Sequence, residues 1–146
     1  MKKMLWVLAF AAMATLTLQA CHRTPDESRV REGVATATRA AEQANASALD
    51  DLLSDDFDGN HGVLERRQLV GLLRAASFRG ERIHAVTGPV TVEARGDRYV
   101  ARFTVTLTSG GKLLPEHMGI YQVETAWRKD GRTWHCYAAT WESVGG

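Results

Sequence analysis

Tyr121-Gln122-Val123-Glu124-Thr125-Ala126-Trp127-Arg128-Lys129-Asp130-Gly131-Arg132-Thr133-Trp134-His135-Cys136-Tyr137 is the stretch that decides the fold. On both sides of Asp130-Gly131 apolar and polar residues alternate with a period of two, the pattern of two strands joined by a tight turn. With Asp130-Gly131 as the loop, Lys129 faces Arg132, Trp127 faces Trp134, Thr125 faces Cys136 and Val123 faces Ala138. One face then carries Val123, Thr125, Trp127, Trp134, Cys136 and Ala138, with Tyr121 further along. The other sets Ile120, Gln122, Glu124 and Ala126 against His135, Tyr137, Ala139 and Trp141.

Upstream the same period continues. Val90 to Arg95 and Arg98 to Thr108 flank Gly96-Asp97, and pairing Arg95 with Arg98 puts Val92 opposite Ala101 and Val90 opposite Phe103. Tyr99, Ala101, Phe103, Val105 and Leu107 share the apolar face, and a threonine-rich face looks the other way. Arg82 to Val86 is a further short strand, interrupted by Gly88-Pro89. Ser109-Gly110-Gly111 turns the chain, and Leu113-Leu114-Pro115 forms an apolar loop before the quoted hairpin.

Before Arg82 the period is helical. Thr24-Pro25-Asp26-Glu27 is a helix start, with Thr24 as cap, Pro25 at the first helical position and Glu27 placed to bond back to the cap amide. Val30, Val34, Ala37, Ala41 and Ala44 continue that helix. Ser47 can cap a short second one carrying Leu49, Leu52 and Leu53. Asp55-Asp56-Phe57-Asp58-Gly59-Asn60 reads as a turn-rich segment. A third helix spans Leu64 to Phe78, with Leu64, Leu69, Leu72, Leu73 and Ala76 on its buried side and Gly80 ending it. Helices followed by an antiparallel meander make an α+β domain, with N-terminal helices packed on one side of a curved antiparallel sheet.

Residues 1–20 have the three-part layout of a secretory signal: Lys2 and Lys3, an apolar run from Met4 to Leu18, then a small residue. Leu18-Gln19-Ala20-Cys21 resembles the lipobox of bacterial lipoproteins, which implies cleavage before Cys21 and acylation of its thiol and new amino group. His22 rather than Asp follows the cysteine, which by resemblance to Gram-negative sorting points to the outer membrane, facing the periplasm. The competing reading is ordinary cleavage after Ala12-Met13-Ala14. The expected organisation is a signal at 1–20, a lipidated Cys21 with a short tether at 21–25, and one domain at 26–143. With so short a tether the domain sits close against the membrane, and any ligand or partner is expected near that surface.

The loss of Lys2 and Lys3 brings the 18 basic residues down to 16 against 17 acidic ones. Such a near-neutral chain with no basic stripe excludes nucleic acid as the main partner. Cys21 taken by lipid leaves Cys136 without a disulfide partner, read as a small buried hydrophobe.

Leu52-Leu53-Ser54-Asp55-Asp56-Phe57 closing a helical pair, then Tyr121 to Arg128, the Asp130-Gly131 turn, Trp134 and Trp141, resemble the nuclear transport factor 2-like (SnoaL-like) superfamily from about Arg29 to Glu142. The resemblance implies a cone: a curved antiparallel sheet wrapped around helices, with a pocket at its open end. Many members carry a strand pair between the second and third helices. Here only Asp58 to Val63 is available, so a reduced set of four main strands and a less enclosed pocket are expected. Members include isomerases, dehydratases, cyclases and binding or dimerising modules.

Acid–base chemistry in such a pocket needs a carboxylate or imidazole facing it, with a hydroxyl donor nearby. Asp56 or His61 with Tyr121 is the candidate set, and His117 lies at the loop mouth. No catalytic motif of the family's enzymes matches residue by residue. The histidines at 22, 61, 84, 117 and 135 have no ligand spacing, and Asp55 to Asn60 lacks a calcium loop's alternate oxygens and closing glutamate. No metal or other cofactor is therefore expected. Ile120, Tyr137, Ala139 and Trp141 read as an apolar strip on the outer sheet face, a contact surface for a second copy or an envelope protein. Tyr99, Phe103, Tyr121, Val123, Trp127 and Trp134 are expected to form the pocket wall, with Leu113 and Leu114 near its mouth. The expectation is a membrane-anchored periplasmic binding or assembly module. The alternative is a small acid–base isomerase, dehydratase or cyclase.

Overall fold

A computed structural model describes residues 24–110 and 119–145. Helix α1 spans Pro25–Glu42, α2 Ala46–Leu52 and α3 Arg66–Phe78. The strands are β1 (Leu53–Gly59), β2 (Leu64–Glu65), β3 (Arg82–Thr87), β4 (Thr91–Arg95), β5 (Arg98–Gly110), β6 (Gly119–Asp130) and β7 (Thr133–Ser143). They form one curved, unclosed sheet in the order β2-β1-β7-β6-β5-β3, with β4 also paired to β5, and the helices cover one of its faces.

Helix α1 starts as its sequence dictates. Thr24 Oγ1 accepts from the Glu27 amide at 3.2 Å, and Pro25 occupies the first turn. The Glu27 carboxylate pairs with Arg31 at 2.9 Å instead of reaching back to the cap. Val30, Gly33, Val34 and Ala40 form its buried stripe. Gly33 is required by a close approach: a Cβ there would lie 2.6 Å from two ring carbons of Trp127. Trp127, 2% exposed, anchors a core with Val30, Val34, Leu53, Phe57, Val70, Ala101, Trp134 and Cys136. Its indole N–H donates to Thr125 Oγ1 at 2.9 Å, and that hydroxyl donates to the Ala101 carbonyl at 3.4 Å. The buried Trp127 indole and Thr125 hydroxyl are thus both paired, as burial demands.

The hairpin β4–β5 has the expected register, Arg95 with Arg98 and Val92 with Ala101. The hairpin β6–β7 is shifted. Asp130 pairs with Thr133 and Trp127 with Cys136, so the loop is Gly131-Arg132. Gly131 has φ of 64°, as Gly96 has 65° at the same place in the other hairpin. Glycine at the first loop position supplies the positive φ that this turn needs, whereas the expected loop would have placed Asp130 there.

Four further features differ from the sequence reading. The segment from Leu53 to Gly59 is a strand, not a turn, and it pairs parallel with β7, so the sheet is mixed and has seven strands rather than four. Asp55 and Asp56, poor strand formers, are held by Arg66 and Arg128. Helix α2 is capped by Asn45, whose Oδ1 accepts from the Ala48 amide at 3.1 Å, and not by Ser47. Helix α3 begins at Arg66 and buries Val70, Leu73 and Ala76, leaving Leu72 61% exposed. Finally, β7 carries a bulge: Trp127 pairs with Cys136 but Ala126 with Ala138, leaving Tyr137 as an extra residue.

Candidate apolar ligand site

Between the helices and the concave sheet face lies a cavity of about 530 Å³, within the range that suits a small ligand. Val34, Ala37 and Thr38 of α1, Leu49 and Leu52 of α2 and Leu69 and Leu72 of α3 form its helical side. Leu53 and Phe57 of β1, Phe103, Val105 and Leu107 of β5, and Tyr121, Val123, Thr125 and Trp127 of β6 form most of the rest. Strand β7 contributes Cys136, Ala139 and Trp141.

Of the six residues expected in the wall, Phe103, Tyr121, Val123 and Trp127 line this cavity. Tyr99 and Trp134 do not. They meet edge-to-face, ring centroids 5.3 Å apart, beside the α1 start, where Trp134 Nε1 donates to Asp26 at 3.2 Å. Leu113, Leu114, His117 and Cys21 lie outside the described residues. The helix-borne wall (Ala37, Thr38, Leu49, Leu52, Leu69 and Leu72) was not anticipated, although α3's leucine spacing was the available signal. Ala139 and Trp141 were missed because the Tyr137 bulge inverts the rest of β7: beyond it Ala139 pairs with Thr125 and Trp141 with Val123.

That inversion also divides the expected contact strip. Ala139 and Trp141 face the cavity while Ile120 and Tyr137 stay on the outer face. Tyr137 there is flanked by cations rather than apolar groups, with the guanidinium carbons of Arg98 and Arg128 at 4.9 and 5.6 Å from its ring centre. Arg128 makes two 2.8 Å hydrogen bonds to Asp56 and a 3.2 Å contact with Asp130, whose carboxylate also meets His135 Nδ1 at 3.1 Å.

The candidate acid–base set is not assembled. Phe57 points into the cavity and the preceding Asp56 onto the outer face, where its hydrogen bonds to Arg128 hold its carboxyl well below the usual carboxylate range. His61 is exposed in the β1–β2 turn, with φ of 57°. Only Tyr121 of the three reaches the cavity. Of the remaining lining polar groups, those of Thr38, Thr125, Trp127 and Cys136 are already engaged. Thr38 Oγ1 donates to the Val34 carbonyl and lies 3.1 Å from Thr87 Oγ1, and Cys136 Sγ donates to the Ala138 carbonyl at 3.3 Å. Burial pushes the Cys136 thiol up to about 12, so it is neutral and unreactive at physiological pH. No carboxylate or imidazole lines the cavity among the described residues. None of their acidic, histidine and cysteine side chains gather into a group of three that could hold a metal, and no helix among them is long and apolar enough to cross a membrane.

No protein-family model matches the chain, and no curated protein matches its sequence. Solved structures do match. An NTF2-like protein from Cytophaga hutchinsonii superposes with a TM-score of 0.70 at 12% identity, covering 84% of this chain and all of the other. A candidate dehydratase of the NTF2-like family from Streptomyces avermitilis gives 0.69 at 17%, covering 84% and 100%. A candidate calcium/calmodulin-dependent kinase II association domain from Exiguobacterium sibiricum gives 0.72 at 10%, covering 87% and 99%. At such identities the likeness is one of fold. The chain has the nuclear transport factor 2-like fold, an α+β domain with N-terminal helices on a curved, unclosed mixed sheet.

Proposed function

We propose that this protein is a lipid-anchored module of the cell envelope that holds a small, uncharged apolar ligand in the cavity of its cone. The observation that carries the ligand reading is the wall itself: aliphatic and aromatic side chains surround about 530 Å³. The only titratable groups among the described lining residues are the Tyr121 hydroxyl and the Cys136 thiol. A charged ligand group buried there would find no counter-ion among them, at a cost that apolar contact does not offset. The candidate dehydratase among the structural neighbours keeps an acid–base reading in view. We do not adopt it, because Asp56 is committed to Arg128 and His61 lies in an outer turn.

The test is titration of the purified mature chain with an uncharged apolar fluorophore. Saturable binding, one per chain, is expected, and Ala37→Phe should abolish it by filling the cavity. Binding that is unsaturable, or indifferent to that substitution, would refute the ligand reading.

The anchor reading rests on Leu18-Gln19-Ala20-Cys21 and makes the bilayer, by sorting the outer membrane's periplasmic leaflet, the first partner. Labelled palmitate should enter the wild-type chain and not Cys21→Ser. Unlabelled wild-type protein in the soluble fraction would favour simple secretion instead. Self-association through the outer sheet face would have to use Tyr137 and the ion pairs around it, and sedimentation of Tyr137→Ala tests that.

A further inference from the structure

The domain has two distinct poles. At one, Thr24 Oγ1 lies 3.4 Å from the Tyr99 hydroxyl, Asp26 accepts from Trp134 at 3.2 Å, and Lys129 Nζ stands 3.7 Å from Asp26. These contacts fix the start of α1 beside both hairpin turns, Gly96-Asp97 and Gly131-Arg132. At the other pole Glu42, the last residue of α1, accepts the Ala85 amide at 3.3 Å, near the start of β3, where Arg82 pairs with Gly110 at the end of β5. An α-helix rises 1.5 Å per residue, so α1 separates the poles by about 27 Å.

Among the residues that line the cavity, burial falls along that axis, although Ala40 and Ala85, outside its wall, stay buried toward the far pole. Val34 is buried while Ala37 and Thr38 are half-buried. Trp127 and Thr125 are buried, while Val123 and Tyr121 are half-buried. Cys136 is buried, while Ala139 and Trp141 are half-buried. The described walls of the cavity therefore close at the hairpin pole and part at the other. The exposed large apolar side chains lie away from the hairpin turns: Val63, Leu72, Phe78 and Val144, with Val86 on β3 and Ile120 on the outer face of β6. The hairpin pole presents Arg98, Lys129, Arg132, Asp97 and Asp130, with no exposed large apolar side chain among the described residues.

Cys21 precedes Thr24 by three residues, a contour of at most about 11 Å. A lipid on Cys21 therefore ties down the closed, polar pole. Taking an apolar ligand directly from the bilayer would need apolar side chains that enter it at the facing surface, and this pole offers none among the described residues.

We infer that the cavity opens away from the bilayer that anchors the protein, and that its apolar ligand is exchanged on the aqueous side of the envelope. This rests on the anchor and ligand readings proposed above.

The experiment uses the full lipidated chain in phosphatidylethanolamine–phosphatidylglycerol vesicles containing a headgroup-nitroxide lipid. A thiol-reactive bimane is placed at Asp97→Cys or Val144→Cys, and buried Cys136 is spared the label. Strong quenching at position 97 and little at 144 is expected. Equal quenching, or the reverse order, would overturn the orientation. On the same vesicles, displacement of the apolar fluorophore by a water-soluble competitor should be as fast as in detergent solution. A tenfold slower, bilayer-limited release would overturn aqueous exchange. Flotation with the vesicles and fluorophore binding in detergent are measured on each sample, so failure of the anchor or ligand reading registers there and not in the quenching.

Discussion

The closed and open poles of this domain are made from the same alternating strands, yet one is filled core and the other a cavity. The difference lies in what the helices bring against the sheet. At the closed pole Gly33 has no side chain, so α1 rests on the Trp127 ring and the layers touch. One turn on, Ala37 and Thr38 are too small to reach Val105 and Val123, and the leucines of α2 and α3 border the gap without filling it. Strand periodicity determines which face is apolar. Helix side-chain size decides whether that face is packed or left hollow.

Stability should therefore be concentrated at one pole. Trp127→Ala should have the largest effect, about 3–5 kcal/mol for a fully buried aromatic, read by urea denaturation. A loss below that range would mean that the closed pole is not the core. Gly33→Ala comes next. Alanine is the better helix former by about 1 kcal/mol, but the clash with Trp127 should outweigh this, giving a net loss of about 1–2 kcal/mol within the usual cost of overpacking. A stabilised variant would show that α1 can lift off the sheet. Leu72→Ala, at the rim of the open pole, should change stability by no more than about 0.5 kcal/mol, yet weaken fluorophore binding; the converse pattern would erase the distinction between the poles.

The smallest effect belongs to neither pole. Asp56 lies on the outer face with its folded pKa depressed by Arg128, so its pairing stabilises the fold above the unfolded carboxylate pKa of about 4 and is lost as pH falls toward the folded value. Asp56→Asn should lower the melting temperature slightly at pH 7, and the gap to wild type should close below about pH 4. Because the pair is exposed, high salt should shrink the gap as well.

How legible these regions were follows from the same contrast. Thr24-Pro25 and Gly96-Asp97 act locally, and both were read with the right position or register. The other hairpin turned on a choice between Asp130 and Gly131 for the positive-φ position, and glycine won. The strand at Leu53–Gly59 was hidden because its carboxylates are neutralised by Arg66 and Arg128, 11 and 72 residues away from Asp55 and Asp56, which no local pattern reports. Asp56 was singled out as a base for its residue type. Its commitment to Arg128 depends on β1 lying beside β7, a parallel pairing that strand alternation alone could not announce.

The extra residue at Tyr137 makes the bulge in β7 a determinant of specificity in its own right. A straight β7 that kept Tyr137 in the ladder would, by the period of two, turn Ala139 and Trp141 outward and present Ala138 and Thr140 to the ligand space, with the sequence unchanged. Losing the codon for Tyr137 would remove the bulge and leave the same residues facing the ligand, whereas pulling Tyr137 into the ladder would exchange them.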